Sequence, residues 1–213
     1  MKSNEDMKTS IIDIGVGNVS SLKNAVDYLG VNYNLINSKL DLKKTTHLIL
    51  PGVGSFDSLI LALEKYDLKS SIKEYILAEK PFLGICVGMQ ILMNGSDEGS
   101  LKGLSIFDGN VEKLRFEEKK NFFVPNVGYC EIFNFEKKNF FKDLDYNSNF
   151  YFTHSYGVKK INNNNNYEYN IANTKHNDNF ISAINYKKIC GVQFHPEKSQ
   201  SVGLKILKNF FDL

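Results

Sequence analysis

The sequence places one cysteine between two glycines, in the pentapeptide Gly84-Ile85-Cys86-Val87-Gly88. This is the spacing of a nucleophile elbow, in which a strand turns sharply into a helix and presents a nucleophile at the turn. The N-terminus of the helix that follows favours an anion, so the turn suits a thiolate. The same five residues also fit a small apolar cysteine at a tight turn, and the pentapeptide alone leaves both interpretations open.

A base and an acid for such a nucleophile occur in Gln193-Phe194-His195-Pro196-Glu197. A cysteine nucleophile needs a base, and the base needs an acceptor that orients it. His195 offers an imidazole and Glu197 a carboxylate, and residues two apart project from the same side of an extended segment. By itself the pair fits a surface histidine beside a charged residue. Combined with the cysteine elbow, the order Cys, His, Glu indicates a catalytic triad.

A glycine-rich turn, Pro51-Gly52-Val53-Gly54, follows an apolar run. Such a turn can point backbone N–H groups at a developing oxyanion, bind a phosphate, or be a plain tight turn. It lacks the Gly-Lys-Ser/Thr ending of a nucleotide P-loop, and Gly15-Val16-Gly17 lacks the third glycine of a dinucleotide fingerprint. The histidines and cysteines show no ligand spacing, so we expect neither a metal site nor a cofactor.

The composition mainly excludes classes of partner. The 213 residues include 26 basic and 24 acidic ones, and Arg115 is the only arginine. This balance gives no whole-chain attraction to nucleic acid or to an anionic membrane, and it does not favour phosphate clamping. The sequence has no long apolar run and no apolar leader, so we expect a cytoplasmic protein. Cys130 and Cys190 are expected to be buried structural thiols.

The elements that must position these residues change character along the chain. In the first half, apolar runs alternate with helical spacing, which indicates a parallel sheet covered on both faces. The strands predicted there lie at 10–14, 32–36, 47–50 and 81–85. In the second half, short runs at hairpin-like spacing predict added antiparallel strands, at 111–118, 121–124, 131–135, 150–153, 181–185 and 189–194. We expect a helix over about 199–211 and a single domain over 1–213, with residues 1–8 as a flexible extension.

Taken together, these motifs resemble those of the class I (triad-type) glutamine amidotransferases. Within that family the chain looks like the glutaminase subunits of imidazole glycerol-phosphate synthase. The resemblance covers about residues 11–210 and rests on the segments around Cys86 and His195, on Asp13…Gly17-Asn18, on Leu50 to Gly54 and on Tyr151 to Tyr156. It implies a flavodoxin-like α/β fold, with a mostly parallel central sheet flanked by helices and antiparallel strands added in the second half.

The resemblance also implies roles for individual residues. Cys86 would attack the side-chain amide of L-glutamine, His195 would move the proton, and Glu197 would orient the imidazole. Backbone N–H groups at Val53 and Val87 would hold the oxyanion. The glutamine-binding set that the family pattern implies is Gly52, Gly54, Gln90, Glu98, Ser155 and Tyr156.

A partner protein is implied as well. The ammonia would pass to a (β/α)8-barrel cyclase in a heterodimer, which would make imidazole glycerol phosphate and aminoimidazole carboxamide ribonucleotide in histidine biosynthesis. Neither nucleic acid nor membrane is expected as a partner. The family positions at or near that interface correspond to Asn18, Asn126, Tyr129, Tyr151 and Lys198.

One segment departs from the family pattern and leaves the partner open. Where the family usually has Pro-His-Met-Gly-Trp-Asn, this chain has Pro125-Asn126-Val127-Gly128-Tyr129-Cys130. One alternative is a paralogous subunit that supplies ammonia to a sugar amidotransferase for acetamidino sugars of surface polysaccharides. Another is a catalytically idle regulatory subunit, which the intact set of triad residues disfavours.

Overall fold

The computed structural model describes residues 8–115, 123–164 and 166–213. Six α-helices lie in these ranges: α1 Val19–Tyr28, α2 Lys39–Lys43, α3 Phe56–Lys65, α4 Lys69–Leu77, α5 Val87–Gln90 and α6 Gln200–Phe211. Twelve strands lie there too: β1 Thr9–Ile12, β2 Tyr33–Ile36, β3 His47–Gly52, β4 Phe82–Cys86, β5 Gly95–Ser96, β6 Gly109–Lys113, β7 Asn126–Glu131, β8 Asn149–His154, β9 Tyr156–Ile161, β10 Asn170–His176, β11 Asp178–Tyr186 and β12 Ile189–Val192. The extension expected over 1–8 falls outside the described residues except for Lys8.

One large sheet organises the fold, in the order β2-β1-β3-β4-β12-β11-β9-β6-β5, with β10 paired to β11. Strands β2, β1, β3, β4 and β12 run parallel to one another. From β12 onward, β11 is antiparallel to β12, β9 to β11 and β6 to β9, and the edge strand β5 is parallel to β6. The predicted α/β architecture, with a parallel centre and antiparallel additions, is confirmed.

The central strands of the parallel half are buried on both faces, unlike the edge strand β2. Every residue of β1, β4 and β12 is buried, which is the continuous burial typical of parallel strands. Side-chain caps stabilise the first turns of two helices: Asn18 caps α1, and Ser55 with Ser58 forms a capping box at α3. In the part of the chain that the structure describes, no helix is long and apolar enough to cross a membrane.

The second half of the chain, where β7 and β8 form a separate two-stranded antiparallel sheet, contains most of the errors in the predicted strands. The strand predicted over 131–135 is wrong: β7 occupies Asn126–Glu131, and beyond it Phe133 makes only an isolated bridge. The residues of β7 that face inward are Asn126, Gly128 and Cys130, so the strand alternates in burial without alternating in hydrophobicity. Strands β9 and β10 were missed for a similar reason, since lysine and asparagine interrupt them. Two further predictions are wrong in part, because β6 ends at Lys113 rather than continuing toward 118 and because Phe123 and Val124 are in no strand. The rest of these two predicted strands, 116–118 and 121–122, lies outside the described residues.

The topology brings three loops to one end of the sheet. Strands β3, β4 and β12 are adjacent and parallel, so their carboxyl ends meet at the same edge. Gly52 at the end of β3 pairs with Cys86 at the end of β4. The chain leaving β12 reaches His195 three residues later. In open α/β sheets, ligands bind outside the carboxyl ends of such strands.

Candidate active site

The elbow at Cys86 is a strained turn inside the protein. Cys86 is the last residue of β4 and stands directly before α5, with φ of 55° and ψ of −110°. A cysteine in the left-handed φ region costs free energy, and such strain persists only where the surroundings enforce it. The residue is only 4% exposed. The predicted strand-to-helix junction is therefore present, although the helix that follows is a single turn of four residues.

Three glycines make this turn possible. A Cβ atom at Gly84 would lie 2.3 Å from the carbonyl oxygen of Gly88, and one at Gly88 would lie 2.1 Å from that of Leu50. A Cβ atom at Gly52 would lie 2.7 Å from the backbone nitrogen of Gly88. Any side chain at these positions would collide with backbone, which cannot move aside. The glycines thus let β3, β4 and α5 touch and fix the place of Cys86.

His195 and Glu197 form a buried pair beside the elbow. His195 Nδ1 lies 2.8 Å from Glu197 Oε1, and each side chain is 3% exposed. Glu197 belongs to a 3-10 turn, Pro196–Lys198. Ser199 secures this turn because its hydroxyl donates to the carbonyl oxygen of His195 at 2.6 Å and accepts from the backbone N–H of Tyr151 at 2.9 Å. Glu197 therefore orients the imidazole, and Ser199 holds the backbone that carries it.

The surroundings of His195 raise its pKa to about 9. Burial alone would lower this pKa, but hydrogen bonding and charge from Cys86 and Glu197 outweigh the loss of hydration. His195 Nε2 and Glu197 Oε2 are buried without a hydrogen-bond partner among the described residues. Cys86 is thus close enough to His195 to act on its charge, although no hydrogen bond of normal geometry reaches Nε2. Such contacts are often long before a substrate is bound.

A cavity of about 300 Å³ opens beside Cys86 and His195. Its volume suits a small molecule. Its lining contains both residues predicted for the oxyanion and five of the six predicted to bind glutamine: Val53, Val87, Gly54, Gln90, Glu98, Ser155 and Tyr156. Pro125, Thr153 and His154 complete it. The sixth residue, Gly52, lies behind the elbow, in a small second cavity that Asn18, His195 and Glu197 also line.

Glu98 joins the far wall of the cavity to α3. Its Oε2 accepts from the backbone N–H of Phe56 at 2.8 Å. Asp57, in the first turn of α3, accepts in return from the backbone of Ser100 at 2.9 Å and of Leu101 at 3.1 Å. The loop that carries Glu98 is therefore fixed to the helix that follows the glycine-rich turn. One Glu98 carboxylate oxygen is held in this way while the side chain still lines the cavity.

Two buried residues at the site were not among the predicted ones. Gln193 donates from Nε2 to Cys86 Sγ at 3.6 Å. His154 bonds through Nδ1 to the carbonyl oxygen of Tyr156 at 2.7 Å and through Nε2 to Asn126 Nδ2 at 3.3 Å. Burial lowers the pKa of His154 to about 4, so the ring is neutral at pH 7. A signal for Gln193 was available, because it stands two residues before His195 on the same side of an extended segment.

The residues predicted at a partner interface divide into two groups. Tyr129, Tyr151 and Lys198 form one surface cluster: the two rings are 5.6 Å apart, and Lys198 Nζ lies 5.6 Å from the Tyr151 ring. The Tyr129 hydroxyl donates to the carbonyl oxygen of Lys198 at 2.9 Å. Asn126 is instead 3% exposed and faces His154, and Asn18 caps α1 beside the triad. Among the described residues, no group of three or more His, Cys, Asp or Glu side chains could hold a metal ion.

Comparisons with known proteins agree with this geometry. The family model described as glutamine amidotransferase class-I matches residues 10–213. The chain is 41% identical over 208 residues to a protein of Methanococcus maripaludis named imidazole glycerol phosphate synthase subunit HisH 2, covering 94% of this chain and 97% of that protein. It is 36% identical to the subunit HisH of Leptospira interrogans, covering 95% and 98% of the two chains.

Two further similarities concern a longer protein and a solved structure. A protein of Schizosaccharomyces pombe named imidazole glycerol phosphate synthase hisHF is 40% identical over 208 residues, which are 96% of this chain and 38% of that protein. The crystal structure of a glutamine amidotransferase from Thermotoga maritima superposes with a TM-score of 0.63 at 16% identity, covering 97% of this chain and 83% of that one. At that identity the structural match supports the fold alone.

Proposed function

The chain belongs to the class I glutamine amidotransferase family, and from this premise we propose that it is the glutamine-hydrolysing subunit of an imidazole glycerol phosphate synthase. The observation that carries the proposal is the convergence of Cys86 and His195 on one cavity, with Glu197 bonded to the imidazole of His195 on its other side. A nucleophile, a base and an orienting carboxylate in that order are what amide hydrolysis through a thioester needs. The names of relatives that match nearly the whole chain support the choice of synthase.

In the proposed reaction, Cys86 Sγ attacks the side-chain amide carbon of glutamine. His195 Nε2 takes the thiol proton and returns it to the departing nitrogen, so ammonia leaves and a glutamyl thioester remains. Water, deprotonated by the same imidazole, then cleaves the thioester to glutamate and restores the thiol. Glu197 holds the ring through Nδ1 and stabilises its cation, which is consistent with the raised pKa of His195.

The remaining cavity residues serve binding and charge stabilisation in this proposal. Backbone N–H groups at Val53 and Val87 stabilise the oxyanion, since both residues line the cavity beside Cys86. Glu98 pairs with the α-ammonium group of the substrate. Its bond to the backbone of Phe56 keeps the carboxylate in place before glutamine arrives. Gly52, Gly54, Gln90, Ser155 and Tyr156 complete the glutamine site.

The ammonia is used by a second protein in this proposal, the barrel-shaped cyclase. Support comes from the Schizosaccharomyces pombe relative, in which the matching region is only 38% of a longer chain named hisHF. The surface cluster of Tyr129, Tyr151 and Lys198 adjoins the turn that carries Glu197. Aromatic residues such as tyrosine are enriched at protein interfaces. We assign this cluster, with Asn18 and the strand that contains Asn126, to the cyclase contact.

Substitution of the nucleophile tests the chemistry. Cys86→Ser should lower the rate of glutamine hydrolysis at least about a thousandfold, since removal of a triad nucleophile has effects of that size or larger. Cys130→Ser is the matched control, because Cys130 is a half-buried cysteine on β7 outside the proposed triad. Ammonia and glutamate release are measured with and without the cyclase. Glutamine hydrolysis retained in Cys86→Ser would overturn the nucleophile assignment, whereas a wild type that hydrolyses no glutamine even with the cyclase would support the idle regulatory alternative.

A second candidate function keeps the chemistry and changes the partner to a sugar amidotransferase. The observation that favours it is the atypical segment over 125–130, where Tyr129 and Val127 are 50% and 58% exposed. Purified chain should bind the histidine-pathway cyclase, and the cyclase carrying its ribonucleotide ligand should stimulate glutamine hydrolysis. A cyclase that neither binds nor stimulates would reject the first partner. The same assay with the sugar amidotransferase would then decide for or against the second.

A further inference from the structure

Gln193 is buried next to the proposed nucleophile and has no part in the mechanism above. It is fully buried, immediately beyond β12 and two residues before His195. Its Nε2 lies 3.6 Å from Cys86 Sγ. A buried amide donor pointed at a sulfur favours the negatively charged form of that sulfur, because a hydrogen bond to a charged group is stronger than one to a neutral group.

The orientation of this amide is fixed by its other neighbours. Gln90 Nε2 donates to the carbonyl oxygen of Tyr156 and to Gln193 Oε1, both at 3.0 Å. A backbone carbonyl can only accept, so Gln90 must present its NH2 group there. That NH2 group then requires the oxygen of Gln193 as its second acceptor. The Gln193 NH2 group is thereby left on the side of Cys86.

From this arrangement we infer that Gln193 stabilises the Cys86 thiolate directly, and that the Tyr156 carbonyl in the antiparallel half of the sheet sets its orientation through Gln90. The inference rests on the proposed function, because it assigns a further group to the same nucleophile. The thiol proton goes to His195 as before, and no other bond changes. Gln193 adds a neutral donor that holds the sulfur anion while it waits for substrate.

The variant that tests this is Gln193→Met, which keeps the length of the side chain and removes the donor. The probe is iodoacetamide, and the readout is the pH dependence of alkylation at Cys86, followed by peptide mass spectrometry. We expect the midpoint of the alkylation curve to rise by about one pH unit, which makes the reaction about tenfold slower below the midpoint. Alkylation of Cys130 in the same sample is the internal reference and should not change.

A matched control is Ser182→Ala. Ser182 is also fully buried, its carbonyl oxygen accepts from the backbone N–H of Gln193 at 2.8 Å, and its hydroxyl has no partner among the described residues. This variant alters packing beside Gln193 without touching the sulfur, so the alkylation midpoint should stay at the wild-type value. An equal shift in both variants, or no shift in Gln193→Met, would overturn the inference.

A second variant, Gln193→Glu, keeps the inference testable if Gln193→Met does not fold. The glutamate side chain has the same shape as glutamine and can still accept from Gln90, but it places a carboxylate beside the sulfur of Cys86. It should shift the midpoint in the same direction as Gln193→Met and further, and an unchanged or lowered midpoint would reject the inference. Because alkylation needs neither glutamine nor a partner, its result is separate from the proposed function, whose chemistry fails if Cys86→Ser retains glutamine hydrolysis and whose partner fails if the cyclase neither binds nor stimulates.

Discussion

Two buried histidines line the same cavity, and their pKa values are shifted in opposite directions. His195, at the carboxyl end of the parallel strands, has a pKa raised to about 9. His154 ends β8 in the two-stranded antiparallel sheet of β7 and β8, which we call the hairpin, and has a pKa lowered to about 4. Burial by itself would lower the pKa of both rings. The difference arises because His195 faces a thiol and a carboxylate, while His154 bonds only to an amide and a carbonyl. Partners, rather than burial, decide which ring carries charge.

The two regions also differ in how tightly they are built. Around Cys86, backbone touches backbone through Gly84, Gly88 and Gly52, so the nucleophile has one available position. The hairpin wall has polar groups inside and exposed rings outside, and its sequence departs from the family pattern at 125–130. We infer that the first region is constrained by the chemistry, and that the second can vary with the partner.

The largest expected difference between the two regions comes from replacing one glycine in each of them by alanine. Gly88→Ala should cost at least about 3 kcal/mol of unfolding free energy and abolish glutamine hydrolysis, because its Cβ atom would meet the backbone of Leu50 at 2.1 Å. Gly128→Ala, on the hairpin, should cost only about 1 to 2 kcal/mol, because nothing lies within 4 Å and the penalty comes from φ of 136°. Denaturant unfolding measures both, and equal losses would contradict the contrast.

The lowered pKa of His154 predicts that the folded protein loses stability in acid. The folded protein keeps the ring neutral down to about pH 4, whereas the unfolded chain takes up a proton near pH 6.5. The stabilisation is therefore complete above pH 6.5 and is lost as the pH falls toward 4, by up to about 3 kcal/mol. His154→Gln cannot titrate, so its unfolding free energy should fall less than that of wild type over this range. Parallel curves for the two proteins would contradict the assignment.

The raised pKa of His195 predicts a smaller loss of stability at alkaline pH. Its pKa is raised, so the stabilisation is complete below pH 6.5 and is lost as the pH rises through about 9. We expect on the order of 1 to 2 kcal/mol, because the thiol that pairs with the ring also ionises in the unfolded chain. Burial raises the pKa of Tyr75 and Cys190, and their contribution cancels when wild type is compared with His195→Gln. The variant should show the shallower fall between pH 7 and 9.5.

The parallel region could be predicted from the sequence almost completely, and the hairpin could not. Apolar runs ended by glycine located the strands that carry Gly52 and Cys86, because burial on both faces leaves a continuous hydrophobic signal. β7 gave no such signal, since Asn126 and Cys130 face inward as polar groups that pair with each other and with His154. The pairing of Asn126 with His154 joins residues 28 apart, and the periodicity along one strand contains no information about such a contact.

The smallest effect is expected at the outer face of the hairpin. Tyr129→Phe removes the hydroxyl that donates to the carbonyl oxygen of Lys198, and a half-exposed hydrogen bond of this kind is worth about 1 kcal/mol or less. Basal glutamine hydrolysis should therefore stay within about threefold of wild type.

Stimulation by the partner should fall further than basal activity, because the lost bond ties the exposed ring to the turn Pro196–Lys198 that carries Glu197. Tyr28→Phe, at the exposed end of α1, is the control for loss of a surface hydroxyl. Rates with and without the partner are compared for both variants. A basal loss as large as the loss of stimulation would mean that the hairpin belongs to the chemistry as much as the elbow does, and the division between the two regions would fail.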